Sequence, residues 1–158
     1  MEKLNNGDIL LYLDAGCEID IRKKDKIKYY LKKVKKDKII GTYLPSHPEK
    51  CWTKRDLSHK IKATEEDLNS PQRPGGLVLL YVCYQTRKLV NEWSEIAQNH
   101  NLLSSEPSKL KNDPCFKDNR HDQSIFSLLT KKYNLYSKES LEDAFEILRN
   151  RNGNSLLK

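Results

Sequence analysis

Two short segments carry residue types that chemistry needs. Arg120-His121-Asp122-Gln123-Ser124 sets a guanidinium, an imidazole, a carboxylate and an amide side by side. A guanidinium grips phosphate oxygens, an imidazole binds a metal or exchanges a proton, and a carboxylate can take a proton from a hydroxyl. Far from it in the chain, Asp14 follows directly on an apolar run and precedes Ala15 and Gly16. A carboxylate so placed can be reached by a divalent cation or a sugar hydroxyl, and Gly16 lets a ligand approach the backbone. Glu18 offers a second carboxylate nearby. Plainer roles compete with these: Asp14 capping its turn, and Asp122 capping a helix while Arg120 and His121 stay in water.

These segments need elements to position them. Residues 8–13 are apolar and read as a strand buried on both faces, ending at Asp14. Between Arg22 and Lys38, Ile27, Tyr30, Leu31 and Val34 recur at helical spacing. Residues 38–44 read as a second strand, stopped by Pro45 and Pro48 because proline cannot donate to a ladder. Thr53 is placed to cap a short helix bearing Leu57 and Ile61. Proline and glycine crowd residues 69–76, so a loop is expected there. It leads into residues 77–84, the most hydrophobic run and the candidate central strand. Leu89, Val90, Trp93, Ile96 and Ala97 mark one face of a helix over residues 86–99.

Residues 101–119 read as a long surface loop, a setting that often carries function. A helix is expected from about Asp122, with Ile125, Phe126, Leu129 and Tyr133 inward. Another is expected near Ser140, with Leu141, Ala144, Phe145 and Leu148 inward. Strands alternating with helices favour an α/β fold with a mostly parallel sheet covered on both faces, whose ligands gather beyond the strand ends. Residues 1–150 then form one domain and residues 151–158 a frayed tail.

Composition bounds the partners. The chain has 158 residues, 37% of them hydrophobic, enough for one core. No stretch approaches a membrane span and no apolar signal-peptide centre opens the chain, which leads to a cytoplasmic expectation. Cys17, Cys51, Cys83 and Cys115 include no Cys-x-x-Cys pair and read as reduced thiols. The net charge of +7 permits attraction to anions. Most of the excess lies in the 22–38 helix, where lysines on a solvated face are the simpler reading than a nucleic-acid site. A non-catalytic module binding a polyanion through that face is the alternative, without a recognisable reader motif to favour it.

Several segments occur together in a familiar order: Leu13-Asp14-Ala15-Gly16-Cys17-Glu18, Trp52-Thr53-Lys54-Arg55-Asp56, Gly75-Gly76, Val90-Asn91-Glu92-Trp93 and Arg120-His121-Asp122-Gln123-Ser124. Over residues 8–134 they resemble a group of glycosyltransferase-like proteins with the type A, nucleotide-diphospho-sugar transferase fold. The resemblance implies transfer of a sugar from a nucleotide-sugar donor to a glycan or other hydroxyl acceptor. It implies a Mn2+ or Mg2+ ion at Asp14, the first carboxylate of an Asp-x-Asp pattern whose second position is Gly16 here, with Glu18 or His121 completing the set.

By the same resemblance, Gln72, Gly75 and Gly76 lie beside the sugar or acceptor, Arg120 and Gln123 bind substrate, and Asp122 is the catalytic carboxylate. Trp52 and Trp93 read as packing rather than sugar platforms. The family's usual first strand, helix and strand have no counterpart here. A truncated domain, a homo-oligomer or a partner chain is therefore expected, as is a degenerate subunit contributing only a surface.

Overall fold

The computed structural model describes residues 1–141 and 145–147. Its centre is a four-stranded sheet ordered β1-β6-β3-β7, built from β1 (Ile9–Leu13), β3 (Ile39–Gly41), β6 (Leu77–Tyr81) and β7 (Tyr136–Ser140). The most hydrophobic run thus becomes a central strand, as its composition requires: Leu77 to Leu80 are all buried. Its alternating side chains serve two cores. Val78, Leu80 and Val82 face α3 (Arg55–Ile61), α5 (Tyr84–Ala97), α6 (His100–Leu103) and α7 (Asp122–Lys132), while Leu77 and Leu79 face α1 (Lys24–Asp37).

The mostly parallel sheet expected from the alternation of elements, and from the resemblance to the type A fold, is not what forms. β6 runs antiparallel to both β1 and β3, and the parallel neighbours are β3 and β7. The helix α1 does return the chain in the same direction, so β1 and β3 run alike, but β6 is inserted between them in the opposite sense. Strand direction depends on how the chain comes back from residues 42–76, and that stretch contains only short helices, α2 (Glu49–Trp52), α3 and α4 (Glu65–Asn69). None is long enough to cover the sheet as the crossover of a parallel pair does.

Other local readings change with it. β1 lies at the end of the sheet order and is half-buried, with Tyr12 exposed, rather than buried on both faces. Pro45 and Pro48 do not stop a strand; they lie within β4 (Leu44–Pro48), which pairs irregularly with the two-residue β5 (Pro71–Gln72), where a missing proline donor is tolerated. Leu31, expected inward, is exposed, whereas Tyr30 and Val34 are buried. The α3 helix begins at Arg55 without a side-chain cap, and the Thr53 hydroxyl instead donates to Glu49 Oε2 at 2.8 Å.

The helix expected near Ser140 is replaced by β7 and β8 (Phe145–Ile147), the latter pairing with β2 (Cys17–Ile19). Leu141 and Phe145 are nevertheless buried, so the burial was legible where the backbone form was not. Ala144 and Leu148 lie outside the described residues, as does the expected tail 151–158.

The long segment after α6 is fastened by more than packing. Cys51 on α2 forms a disulfide with Cys115, correcting the expectation of four reduced thiols, while Cys17 and Cys83 are not disulfide-bonded. Asp56 accepts the backbone N–H groups of Lys109 and Leu110, both at 2.8 Å. The buried Lys54 Nζ donates to the carbonyls of Asn101, at 2.5 Å, and Ser104. Asn119 Nδ2 donates to the carbonyls of Leu102, Leu103 and Ser104, satisfying the end of α6. Among the described residues no helix is long and apolar enough to cross a membrane.

Candidate functional site

Antiparallel pairing decides what Asp14 meets. β1 ends at Leu13 opposite Leu77, where β6 begins, so the turn before β6 lies beside the turn after β1. The Asp14 N–H donates to the Gly76 carbonyl at 2.8 Å, extending the ladder by one pair. Leu10, Tyr12 and Asp14 therefore share a sheet face with Leu80, Val78 and Gly76. Had β6 run parallel to β1, Gly75 and Gly76 would sit at the far end of the sheet.

On that face the sheet, α5 and α7 enclose a cavity of about 370 Å³. Its apolar wall comes from Leu10, Val78, Leu80, Val90, Trp93 and Phe126, and Met1 also contributes. Polar groups gather at one side: Tyr12, Asp14, Asp122 and Gln123, with Gly75 and Gly76 between them. An apolar pocket with a few convergent polar groups is the usual form of a small-molecule site.

The Tyr12 hydroxyl donates to Asp14 Oδ1 at 3.1 Å. That bond, then the Asp14 charge, raises the Tyr12 phenol above its ordinary range; burial and the Asp122 charge add to the rise. Tyr12 thus feels both carboxylates. Gly76 leaves room for the Asp14 carboxylate in its present place: a Cβ there would overlap Asp14 Oδ2 and lie 2.9 Å from Asp14 Cγ, so the carboxylate would have to turn aside. Gly75 has open space at the same position.

The Arg120 to Gln123 segment is divided by the fold. His121 adopts φ 52°, outside helical geometry, immediately before α7 starts at Asp122. Arg120 and His121 turn away from the cavity. The Arg120 guanidinium lies 4.5 Å over the Trp52 ring, and His121 Nε2 is 2.9 Å from Ser105 Oγ. Asp122 and Gln123, on the first turn of α7, line the cavity. The expected N-cap role of Asp122 is not the arrangement found, since His121 holds the cap position without a side-chain bond.

Gln72 is fully buried and does not line the cavity; its side chain lies behind Gln123, among Trp52, Thr53 and Ser124. Glu18 sits on β2, outside the cavity lining. Of the three residues implied as metal ligands, Asp14 alone lines the cavity. Among the described residues no group of three or more His, Cys, Asp or Glu side chains comes together to hold a cation. Asp14, Glu18 and His121 are thus not assembled as one donor set, and no step is assigned to a metal.

Two contributors escaped the sequence reading. Tyr12 is one, although its place two residues before Asp14 on a strand puts both side chains on the same face. Trp93 is the other: read as packing, it does pack against Phe126, with ring centroids 5.1 Å apart, yet it also forms the cavity wall. Trp52 is away from the cavity, stacked on His47 at 4.5 Å.

The basic face of α1 is exposed, and part of it is already paired: Lys33 reaches both Asp37 and Glu139, at 3.3 and 3.1 Å. In comparisons with known proteins, the chain matches no family model, no curated protein and no solved structure.

Proposed function

We propose that the chain is a glycosyltransferase-type domain that moves a sugar from a nucleotide-sugar donor to a hydroxyl acceptor. One observation carries the reading: Asp14 and Asp122, from distant parts of the chain, converge on one cavity that also has an aromatic wall. Carboxylates accept hydrogen bonds from sugar hydroxyls, and the Trp93 ring suits the apolar face of a sugar ring. The Leu13-Asp14-Ala15-Gly16 and Arg120 to Ser124 segments, through which the chain resembles glycosyltransferase-like proteins, supply the two carboxylates.

Each group then has a role. Asp122 accepts the proton of the acceptor hydroxyl as its oxygen bonds to the anomeric carbon. The bond from that carbon to the donor phosphate oxygen breaks, and the diphosphate leaves with the electron pair. Asp14, steadied through Oδ1 by Tyr12, holds sugar hydroxyls in place. The apolar wall excludes water, which would otherwise compete as acceptor.

The test is calorimetric titration of the purified chain with UDP, GDP and their common sugar conjugates, with and without Mn2+, followed by transfer assays on binding donors. Asp14→Ala should abolish or weaken donor binding. Asp122→Asn should lower turnover by about 100-fold or more, the scale of general-base catalysis, with donor affinity largely kept. Unchanged turnover in Asp122→Asn removes the role given to that carboxylate. No heat with any donor, from folded protein, overturns the reading for this chain.

A further inference from the structure

Behind the cavity runs a buried polar chain whose hydrogen-bond directions are determined from its charged end. Glu49 is fully buried and ion-paired with Lys131 at 2.8 Å. A carboxylate only accepts, so the Thr53 hydroxyl must donate to Glu49 Oε2. The Ser124 hydroxyl likewise donates to the Trp52 carbonyl, at 2.9 Å. With their hydrogens so engaged, Thr53 Oγ1, Ser124 Oγ and the Trp52 carbonyl are all acceptors toward Gln72. They lie 3.2, 3.1 and 3.2 Å from its Nε2. Turning the Gln72 amide over would set its oxygen against three acceptors in a buried place, a costly arrangement.

The Gln72 oxygen must therefore face the other way, where Gln123 Nε2 donates to it at 2.8 Å. That contact in turn fixes Gln123. With the nitrogen tied to Gln72, Oε1 is the atom left for the cavity that Gln123 lines.

We infer that Gln72 is a positioning residue: it locks the Gln123 amide with its oxygen toward the cavity, so that Gln123, Asp14 and Asp122 form a side-chain rim of acceptors. Such a rim selects a ligand group that donates hydrogen bonds, a hydroxyl above all, over an isosteric group that only accepts. As a statement of substrate class it rests on the hydroxyl-acceptor reading of the same cavity. It assigns the cavity to the hydroxyl-bearing parts of the reactants, the donor sugar held by Asp14 and the acceptor hydroxyl at Asp122, and places the phosphates of the donor elsewhere. Gln72 itself touches no ligand.

The test uses two near-isosteric probes that require no glycosyl transfer, cyclohexanol and cyclohexanone, titrated into the 15N-labelled full chain. The Trp93 indole and Gln123 side-chain amide resonances report binding. The unsubstituted protein should prefer cyclohexanol by about tenfold, one hydrogen bond's worth of discrimination. Gln72→Met should lower that ratio several-fold, the Asp14 and Asp122 carboxylates remaining as acceptors, while cyclohexanone affinity changes little or rises, which a merely structural role would not produce. Should Gln72→Met fail to fold, Gln123→Leu should lower the ratio in the same way.

Without ligand, cross-peaks between the two side-chain amides should be present. Equal affinity for both probes, no binding of cyclohexanol, a preference undiminished in the variants, or absent amide cross-peaks would each overturn the inference. A cyclohexanol preference in a protein that binds no nucleotide sugar would sustain it while removing the glycosyltransferase reading.

Discussion

The carboxylate of Asp14 occupies the space that a side chain on Gly76 would need, across the antiparallel junction of β1 and β6. The neighbouring glycine is under no such demand, because Gly75 faces open space. Gly76→Ala should therefore turn the Asp14 carboxylate aside and weaken probe binding at the cavity, at little cost to the fold because Asp14 is an exposed side chain. Gly75→Ala should leave the thermal midpoint nearly unchanged. Probe binding to the two variants, with thermal denaturation to show that both are folded, checks this; equal binding would remove the claim that a side chain at Gly76 displaces Asp14.

Acid should act through Asp56. Burial alone would raise its carboxyl, but the N–H groups of Lys109 and Leu110, with Asn101, more than offset this and hold it below the ordinary range. A lowered folded value means the stabilisation is complete above the unfolded value, near 4, and is lost as pH falls through the folded value. Asp56→Asn should thus be less stable than the unsubstituted chain at neutral pH and converge with it below about pH 4. Urea midpoints across that range measure the convergence.

The Cys51 to Cys115 disulfide spans a separation of 64 residues. Closing a loop of that length in the unfolded chain is worth about 4 kcal/mol in the chain-entropy account. Reduction, or paired Cys51→Ser and Cys115→Ser substitution, should lower the thermal midpoint accordingly. An unchanged midpoint after full reduction would show that the bridge does not form in solution.

Lys131→Met should be among the more damaging single changes. It would leave Glu49 buried without its ion-pair partner, with the hydroxyls of Ser127 and Thr53 donating to it and the Arg73 guanidinium nearby, at a cost of about 3 kcal/mol. Glu49→Gln combined with Lys131→Met should recover part of the loss, because no charge is then stranded. Denaturant midpoints of the single and double variants decide it.

How far the sequence reached differs by kind of claim. Hydrophobic periodicity was enough for the central strand and for α1, α5 and α7, since which face of an element is apolar is a local property. Leu57, Ile61, Ile125, Phe126 and Leu129 are buried as their spacing implied. The same spacing misled at Leu141 and Phe145, where two buried residues four apart fit a helix as well as positions just past the end of β7 and at the start of β8.

Asp14, Asp122, Gln123, Gly75 and Gly76 were singled out by type and setting, and all five line one cavity. Gln72, Arg120, Glu18 and His121 were singled out by the same reasoning and do not line it. Residue type says what a group can do, but the direction in which it points depends on neighbours from other parts of the chain. The positive φ at His121 and the buried partners of Gln72 settle those directions.

Strand direction and disulfide pairing belong wholly to the tertiary structure. The sequence by itself determined which runs are apolar, where the chain must turn and which residues could bear chemistry, because those follow from composition and short-range spacing. Only the tertiary fold decided that β6 enters antiparallel between β1 and β3, that Cys51 meets Cys115 and that Gly76 lies beside Asp14. The physical reason is that each joins residues far apart in sequence, whose approach is selected by packing of the whole core and leaves no local pattern.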